Sequence, residues 1–375
     1  MKILTAVDSF KGSISSSEIN NIVAKELKLK GLEVIQKPLA DGGEGTIDAL
    51  IDSTNANKIE CTVTGGLGEK IKSYYAMMHN GTAVIEIAQI CGLPMLPSDK
   101  RSPLYTTTYG VGEAIIHALH KGAKHIVIAL GGSATNDVGI GMLQALGVTV
   151  SDALHQPASF GASSLENITH IDFSTRSPEL KNIPISVITD VQNLLCGEEG
   201  ATFVFGPQKG LSPDDCIKVE KQVQRLCSLT PLLQKYKNTP GAGAAGGLGV
   251  ACLALGAKIY EGAEWFMKTL QLKETIQQVD AIITGEGKLD SQTLSGKAPI
   301  SIARYAKSID KPVIAIAGSI DIQLLSAFYE SGIKICLSVL PGIQTLEQAI
   351  TLSQSQQNIT YISQQIATFL TWPKE

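Results

Sequence analysis

Apolar and polar positions alternate in blocks along this chain, and the blocks change character twice. Lys2 to Val7 is a nearly unbroken apolar run, which predicts a strand buried on both faces. After the polar loop Asp8 to Ser13, the residues Ile19, Ile22, Val23 and Leu27 recur at helical spacing. A capping-box pair, Ser15 and Glu18, opens that helix and Gly31 stops it. Val34-Ile35 begins a second strand, which ends at Asp41-Gly42-Gly43-Glu44-Gly45. Strand, helix and strand in this order predict a parallel pair.

From Cys61 to Pro94 the pattern shifts to short strand candidates at Thr62-Val63-Thr64, Tyr74 to Met77 and Ala83 to Ile87. Glycine-bearing turns separate them, which predicts hairpins and places a domain junction near residue 61. Thr108 to His120 reads as a helix, Ile126 to Leu130 as a strand covered on both faces, and residues 151–183 as a polar surface excursion. Ile185 to Ile188 and Thr202 to Phe205 read as further strands. Alternation of strand and helix returns at Ala281-Ile282-Ile283. It continues through a helix at Pro299 to Ala306, a strand at Val313 to Ile316, a helix at Leu324 to Tyr329 and a strand at Ile333 to Val339. A Gln-rich helix over Thr345 to Leu370 follows. The two ends share a style that the middle only partly shares. The expectation is an α/β protein with one parallel-sheet domain built from residues 1–60 and 280–375, and a second α/β domain, residues 61–279, inserted into it.

Composition narrows the functional classes. With 44% hydrophobic and 18% charged residues the chain has ample material for two cores. A net charge of −4 without any Lys/Arg cluster leaves no footprint for nucleic acid or an anionic membrane. The seven cysteines are scattered, without a Cys-x-x-Cys pair, as expected of reduced thiols in a cytoplasmic protein. The first apolar stretch is too short for a signal peptide, and no run reaches the length of a membrane span.

Glycine concentrates in polar clusters at predicted strand ends, where open α/β sheets bind ligands. Backbone amides in such turns can face an anion, although a turn needing positive φ also selects glycine. In Asp8-Ser9-Phe10-Lys11-Gly12-Ser13, Lys11 is placed to meet a phosphate and Asp8 to hold Mg²⁺ or orient a hydroxyl. Asp41-Gly42-Gly43-Glu44-Gly45-Thr46 offers acids suited to a metal or a substrate hydroxyl, or forms a plain turn. In Gly131-Gly132-Ser133-Ala134-Thr135-Asn136-Asp137, Ser133 or Thr135 caps the next helix, or the paired glycines admit an anion to it. Asp190, after the strand Ile185 to Ile188, is the preferred general base, with an Asx turn as its plainer role.

Pro240 to Gly247 contains a Gly-x-Gly-x-x-Gly match, but polar residues precede it where a dinucleotide fold has a strand, so a lid or tight helix start fits as well. Thr284-Gly285-Glu286-Gly287-Lys288-Leu289-Asp290 follows a clear strand and shares the sheet edge of Asp8. P-loop order is lacking, because Gly296-Lys297 is followed by Ala298. The six histidines occupy ordinary contexts, and neither zinc spacing nor a Gly-x-Ser-x-Gly elbow is present. What remains is Asp, Lys, Thr and glycine amides, a set suited to phosphoryl transfer by positioning and charge neutralisation.

The motifs Asp8 to Ser13, Ala40 to Thr46, Gly131 to Asp137, Thr189-Asp190-Val191, Phe205 to Gly210, Pro240 to Gly247 and Thr284 to Gly287 cover nearly the whole chain in order. In them the chain resembles the bacterial two-domain glycerate kinases. That resemblance implies a Rossmann-like domain carrying an inserted α/β domain, with the site in the cleft between them. It implies ATP and Mg²⁺ as cosubstrates and D-glycerate as acceptor, 2-phosphoglycerate being favoured over 3-phosphoglycerate, with another small hydroxy acid as the alternative substrate. On this footing Asp190, Lys11 and Asp8 are the expected catalytic residues, and Asp8 and Glu286 the expected metal ligands. Gly132, Ser133, Gly243, Gly246, Gly285, Glu286 and Gly287 are expected to face ATP, and Asp41, Gly42, Gly43, Asn136 and Asp137 the acceptor. A monomer or homodimer is expected. Two departures stand out: Val138 where the family has glycine, and Leu194 where it has proline after Asn193. A nicotinamide-dependent oxidoreductase would need its glycine fingerprint after the first strand, where Phe10-Lys11-Gly12 stands instead. A binding protein that closes on a small acid is disfavoured by the acidic loops, which repel an anion in the absence of a cation.

Overall fold

A computed structural model describes residues 1–372; Pro373 to Glu375, the last three residues of the expected terminal-end domain, lie outside the described residues. The chain divides into two compact units. Unit 1 comprises Met1–Asp41, Asp48–Asn55 and the chain from Gly262, and unit 2 comprises Gly42–Ile47 and Ala56–Glu261. The chain opens with β1 (Lys2–Val7), α1 (Ser16–Leu29), β2 (Glu33–Gln36) and α2 (Thr46–Thr54). Unit 2 then holds β3 (Asn57–Thr64), β4 (Lys70–Met77), β5 (Thr82–Glu86), α3 (Tyr109–His120), β6 (His125–Ala129), α4 (Ile140–Ala145), β7 (Thr149–Ser151) and β8 (His170–Asp172). It closes with β9 (Ile185–Ile188), α5 (Ala201–Phe205), α6 (Pro213–Leu229), α7 (Ala244–Ala254) and β10 (Lys258–Tyr260). Unit 1 resumes with β11 (Ala281–Leu289), α8 (Ala298–Lys307), β12 (Val313–Ile320), α9 (Leu325–Glu330), β13 (Ile333–Ser338) and α10 (Leu352–Leu370).

Unit 1 is built on a five-stranded sheet in the order β13-β12-β11-β1-β2, parallel throughout. Alternate side chains of its strands, including Ile3, Ile283 and Ile316, pack against Ile19 and Val23 of α1 and Ile359 of α10. Each such fully buried aliphatic side chain contributes about 1.5–3 kcal/mol. Ser15 caps α1 by accepting from the Glu18 amide at 3.2 Å, and its hydroxyl donates to the Glu18 carboxylate at 2.9 Å. The N-terminal end of α1 is tied to the end of β1 through buried Asn20, which accepts from the Val7 amide and donates to the Val7 carbonyl. From β1 the chain steps one way to β2, and from β11 it steps the other way to β12. The boundary between β1 and β11 is therefore the topological switch point, where ligands bind in open parallel sheets.

Unit 2 carries a six-stranded sheet, β10-β9-β6-β5-β4-β3. β10, β9, β6 and β5 are parallel, and β4 and β3 are added as the antiparallel hairpins that the glycine-bearing turns predict. Two expectations fail. Thr202 to Phe205 is helical, within α5: Ala201 and Thr202 are buried side by side while Phe203 and Val204 reach solvent, a pattern that fits a helical turn and not an alternating strand. The long terminal helix is broken, because Thr351 caps a new start at α10 just after a short helix, Leu346–Ala349, capped by Thr345. The excursion 151–183 carries short 3₁₀ helices at Ala162–Asn167, Phe173–Thr175 and Pro178–Leu180, with β8 paired to β7. Among the described residues no helix is long and apolar enough to cross a membrane, and all seven cysteines are free thiols.

Candidate active site

In unit 1 the switch point opens into a cavity of about 580 Å³. Asp8 enters it directly from the end of β1, its amide bonded to the Gly285 carbonyl at 2.8 Å. The following turn folds back through a Phe10/Ile14 bridge, with Gly12 at a φ of 74°. That turn presents the largely exposed Lys11, whose ammonium meets the Asp41 carboxylate at 2.5 Å. Glu286, near the middle of β11, is almost wholly buried. Its Oε2 accepts from Lys297 Nζ at 2.9 Å, while its Oε1 is buried without a hydrogen-bond partner. Lys297 stands immediately before α8, and further along β11 Lys288 pairs with Asp290 at 3.4 Å.

These charges perturb one another. Burial, and then the nearby Asp41 carboxylate, push the Asp8 carboxyl well above its ordinary range; Lys11 and the Ser9 amide work against that, and Glu286 adds to it. Burial by itself would lower the Lys297 ammonium, but the charge and hydrogen bond of Glu286 outweigh it and the net shift is upward. The cavity thus concentrates acceptors, and an unpartnered carboxylate oxygen among them favours a cation. Among the described residues no three His, Cys, Asp or Glu side chains close on one point as a resident metal site would. One or two carboxylates completed by water and phosphate oxygens is how Mg²⁺ is usually held with a nucleotide, and Asp8 and Glu286 fit that role.

Unit 2 brings a second set together at the carboxyl ends of β5, β6 and β9. The Gly131 amide donates to the Gly42 carbonyl at 2.9 Å, and a Cβ on Gly131 would collide with the Gly43 backbone. A Cβ on Gly42 would lie 3.1 Å from the Ile188 carbonyl oxygen at the end of β9. Glu86, fully buried at the end of β5, accepts from the amides of Gly45 and Ile47, both at 3.0 Å. The loop after β6 is held from below by Lys209, only 3% exposed, which donates to Ser133 Oγ and the Thr135 carbonyl, each at 2.8 Å. Burial lowers this ammonium to about 8, against the opposing influence of Cys91 and Asp137.

Asp137 is fully enclosed and accepts from the Thr108 amide and hydroxyl and from the amides of Gly139 and Gly141. Asn136 donates to Thr202 Oγ1 at 3.0 Å, while its Oδ1 and Thr135 Oγ1 are buried without partners. Gly243 donates to the Asn193 carbonyl, and a Cβ on Gly246 would collide with the Thr135 carbonyl oxygen. Just after its first residue, α7 contains three left-handed residues, Ala245, Gly246 and Gly247. Val138 is left-handed too, at a φ of 57°, and its amide donates to the Gly246 carbonyl. For a β-branched residue that conformation is an outlier costing about 1–2 kcal/mol. Asp190 is exposed, two residues beyond β9.

The expected site residues therefore fall into two sets. Asp8, Lys11, Asp41, Gly285, Glu286 and Gly287 belong to unit 1. Gly42, Gly43, Gly132, Ser133, Asn136, Asp137, Asp190, Gly243 and Gly246 belong to unit 2. Within unit 2 the structure gives Asp137 the work of a loop anchor, and it gives Gly243 and Gly246 close chain crossings. Sequence reasoning passed over Lys297, Lys209 and Glu86 as site residues. Gly296-Lys297 and Lys209 stood in glycine-flanked stretches, and Glu86 was read only as part of a strand.

The chain is similar to known proteins over nearly its whole length. The glycerate kinase family model matches residues 3–371. Over 355 residues the chain is 44% identical to the glycerate kinase of Bacillus subtilis (strain 168), covering 93% of each. Over 376 residues it is 42% identical to the glycerate 2-kinase of Escherichia coli (strain K12), covering 99% of this chain and 98% of the relative. A crystal structure from Salmonella typhimurium LT2, of a protein provisionally assigned as glycerate kinase 2, superposes with a TM-score of 0.84 at 38% identity and covers 99% of this chain and 98% of that one. With both folded units matched over nearly their full length, the chain belongs to the glycerate kinase family.

Proposed function

We propose that the chain transfers the γ-phosphoryl group of ATP to the 2-hydroxyl of D-glycerate, giving ADP and 2-phosphoglycerate. The observation that carries this reading is the gathering of Asp8, Lys11, Asp41, Glu286 and Lys297 around one cavity at the switch point of a parallel sheet. Lys11 and Lys297 offset phosphate charge there. Asp8 and Glu286 would hold Mg²⁺ together with water, and the ion would supply neutralisation of phosphate charge. Asp190 accepts the proton of the attacking hydroxyl as the new O–P bond forms and the bond from the γ-phosphorus to the β,γ-bridging oxygen breaks, releasing ADP. The position of transfer follows the relative named as a glycerate 2-kinase.

The test is a coupled assay of ADP release with D-glycerate, ATP and Mg²⁺, followed by identification of the phosphoglycerate isomer. Glycerate-dependent ADP release with 2-phosphoglycerate as product is expected. Formation of 3-phosphoglycerate would overturn the position of transfer. Folded protein that releases no ADP with glycerate would overturn the activity, and other small hydroxy acids would be tried next.

A further inference from the structure

Glu286 brings its own cation to the cavity of unit 1. Two ion pairs share the charged lining, Lys11 with Asp41 and Lys297 with Glu286, close enough for Lys11 and Asp41 to act on the Lys297 charge. The two pairs differ in burial. The Lys11 side chain is 61% exposed, so water screens the first pair and its net contribution is small. In the second pair the Glu286 side chain is 8% exposed and that of Lys297 26%, so opening it strands a buried carboxylate. Both oxygens of Glu286 are closed to a newcomer: Oε2 accepts from Lys297, and Oε1 is shut away from solvent. An incoming cation reaches Glu286 by taking the place of Lys297.

The carboxylate is the fixed partner of that pair and the ammonium the movable one. Gly285 pairs with Val7 of β1 and with Ile316 of β12, and Glu286 pairs with Ala317, so the backbone here is held from both sides. A Cβ on Gly285 would collide with the Ile316 carbonyl oxygen, which leaves this stretch of β11 no room to shift. Lys297 stands outside the sheet, at the cap of α8 just after Gly296, and its side chain makes no capping bond. Its ammonium rides on a flexible four-carbon stem with three rotatable donors. Released from Glu286, that ammonium stays in the cavity that the kinase reading fills with phosphate oxygens, and finds a second partner there. Charge decides when it leaves. A divalent cation arriving alone meets the Lys297 charge and repels it with no anion to receive it. A cation that arrives on a nucleotide brings the receiving phosphates with it.

We propose that Lys297 is the internal counter-ion of Glu286, yielding the carboxylate to a divalent cation and moving to the phosphates, so that cation and nucleotide enter together. The proposal rests on the kinase reading above and adds an order of binding to it. It is tested on the full chain with Mn²⁺ as the probe, its free concentration followed by electron paramagnetic resonance, beside the ADP-release assay. Without nucleotide, Lys297→Met is expected to bind Mn²⁺ roughly 10-fold or more tightly than the unaltered chain. Mn²⁺ should also raise the melting temperature of this variant more than that of the unaltered chain. Lys297→Gln, which leaves Glu286 a neutral donor and disturbs the fold less, should shift in the same direction. Adding Glu286→Gln to either variant should abolish the gain. A purely structural Lys297 predicts the opposite sign, because its loss would loosen the site and weaken Mn²⁺ binding. Folded Lys297 variants that bind Mn²⁺ no more tightly than the unaltered chain would overturn the exchange, and glycerate-dependent ADP release by the unaltered chain would leave the kinase reading standing. A gain that survives Glu286→Gln would overturn the exchange as well, by placing the ion elsewhere. Absence of both ADP release and binding of Mn²⁺ with ADP would remove the kinase reading, and the exchange with it.

Discussion

Replacing Lys209 by methionine removes the ammonium beneath Ser133 and Thr135 while keeping much of the volume of its stem. Burial brings this group from its ordinary 10.5 down to about 8, which corresponds to about 3 kcal/mol. The sign follows from proton counting. Between those two values the unfolded chain keeps the Lys209 proton and the folded chain has released it, so folding gains stability as pH rises through that window. Below it the buried charge is a cost, offset by the two hydrogen bonds to Ser133 Oγ and the Thr135 carbonyl, each contributing about 1.5–3 kcal/mol. Lys209→Met also leaves the Thr135 carbonyl without its donor and is expected to lose about 1–3 kcal/mol at neutral pH. The assay is urea unfolding of both proteins at intervals from about pH 7 to about pH 11, followed by circular dichroism. Taking the difference cancels the other lysines and the tyrosines. The advantage of the unaltered protein should grow by about 3 kcal/mol across the range. A difference that stays flat to within about 0.5 kcal/mol would refute the assignment of a buried, charge-bearing Lys209.

Three further outcomes are expected. Asp190→Asn should lower kcat about 10²–10⁴-fold with stability unchanged to within about 0.5 kcal/mol, because the side chain is exposed; near-normal turnover from folded protein would remove Asp190 from the base role. Asp8→Asn should abolish activity yet stabilise the fold at neutral pH by about 0.5–2 kcal/mol, since burial and Asp41 disfavour the Asp8 charge. A carboxyl raised in the folded state takes up its proton first there, so this gain should vanish in melts at about pH 4, and a gain independent of pH would contradict the cause. Lys297→Met should leave the buried Glu286 carboxylate without its cation, costing about 1.5–3 kcal/mol in a denaturant melt and raising the KM for ATP more than that for glycerate.

Much of the fold was legible because the two periodicities are strong where elements are long. Ile126 to Leu130 and Ala281 to Ile283 are continuous apolar runs and Lys2 to Val7 is nearly one, and each forms a parallel strand covered on both faces. Thr202 to Phe205 misled because β-branched and aromatic residues favour strands locally, whereas burial of the adjacent Ala201 and Thr202 selects a helical turn. The break at Thr351 was missed because a threonine within a Gln-rich helical pattern reads as an interior residue until its side chain is seen capping Gln354. The glycine clusters pointed to the strand ends, but their division into two sets depends on which strands share a sheet, and no local pattern carries that. Lys209 and Lys297 act through partners 76 and 11 residues away. Val138 is the opposite case. The sequence flagged it as a departure from the family, and its left-handed backbone explains why glycine would sit there without strain.

The pairing of β1 with β11 has a consequence for biosynthesis. Ile3 is in register with Ala281, so β1 leaves a ribosome 278 residues ahead of its central neighbour. At about 5–20 residues per second that is a wait of roughly 14 to 56 s. During that time β1, α1 and β2 form a short parallel pair without the strand that flanks β1 on its other side, while unit 2 is made in nearly one piece and holds its own six strands. The inserted unit should therefore become protease-resistant on the ribosome first. The switch point, which carries Asp8 and Glu286, should assemble last, so that a nascent chain stalled before β11 is folded in its middle and without its phosphate site.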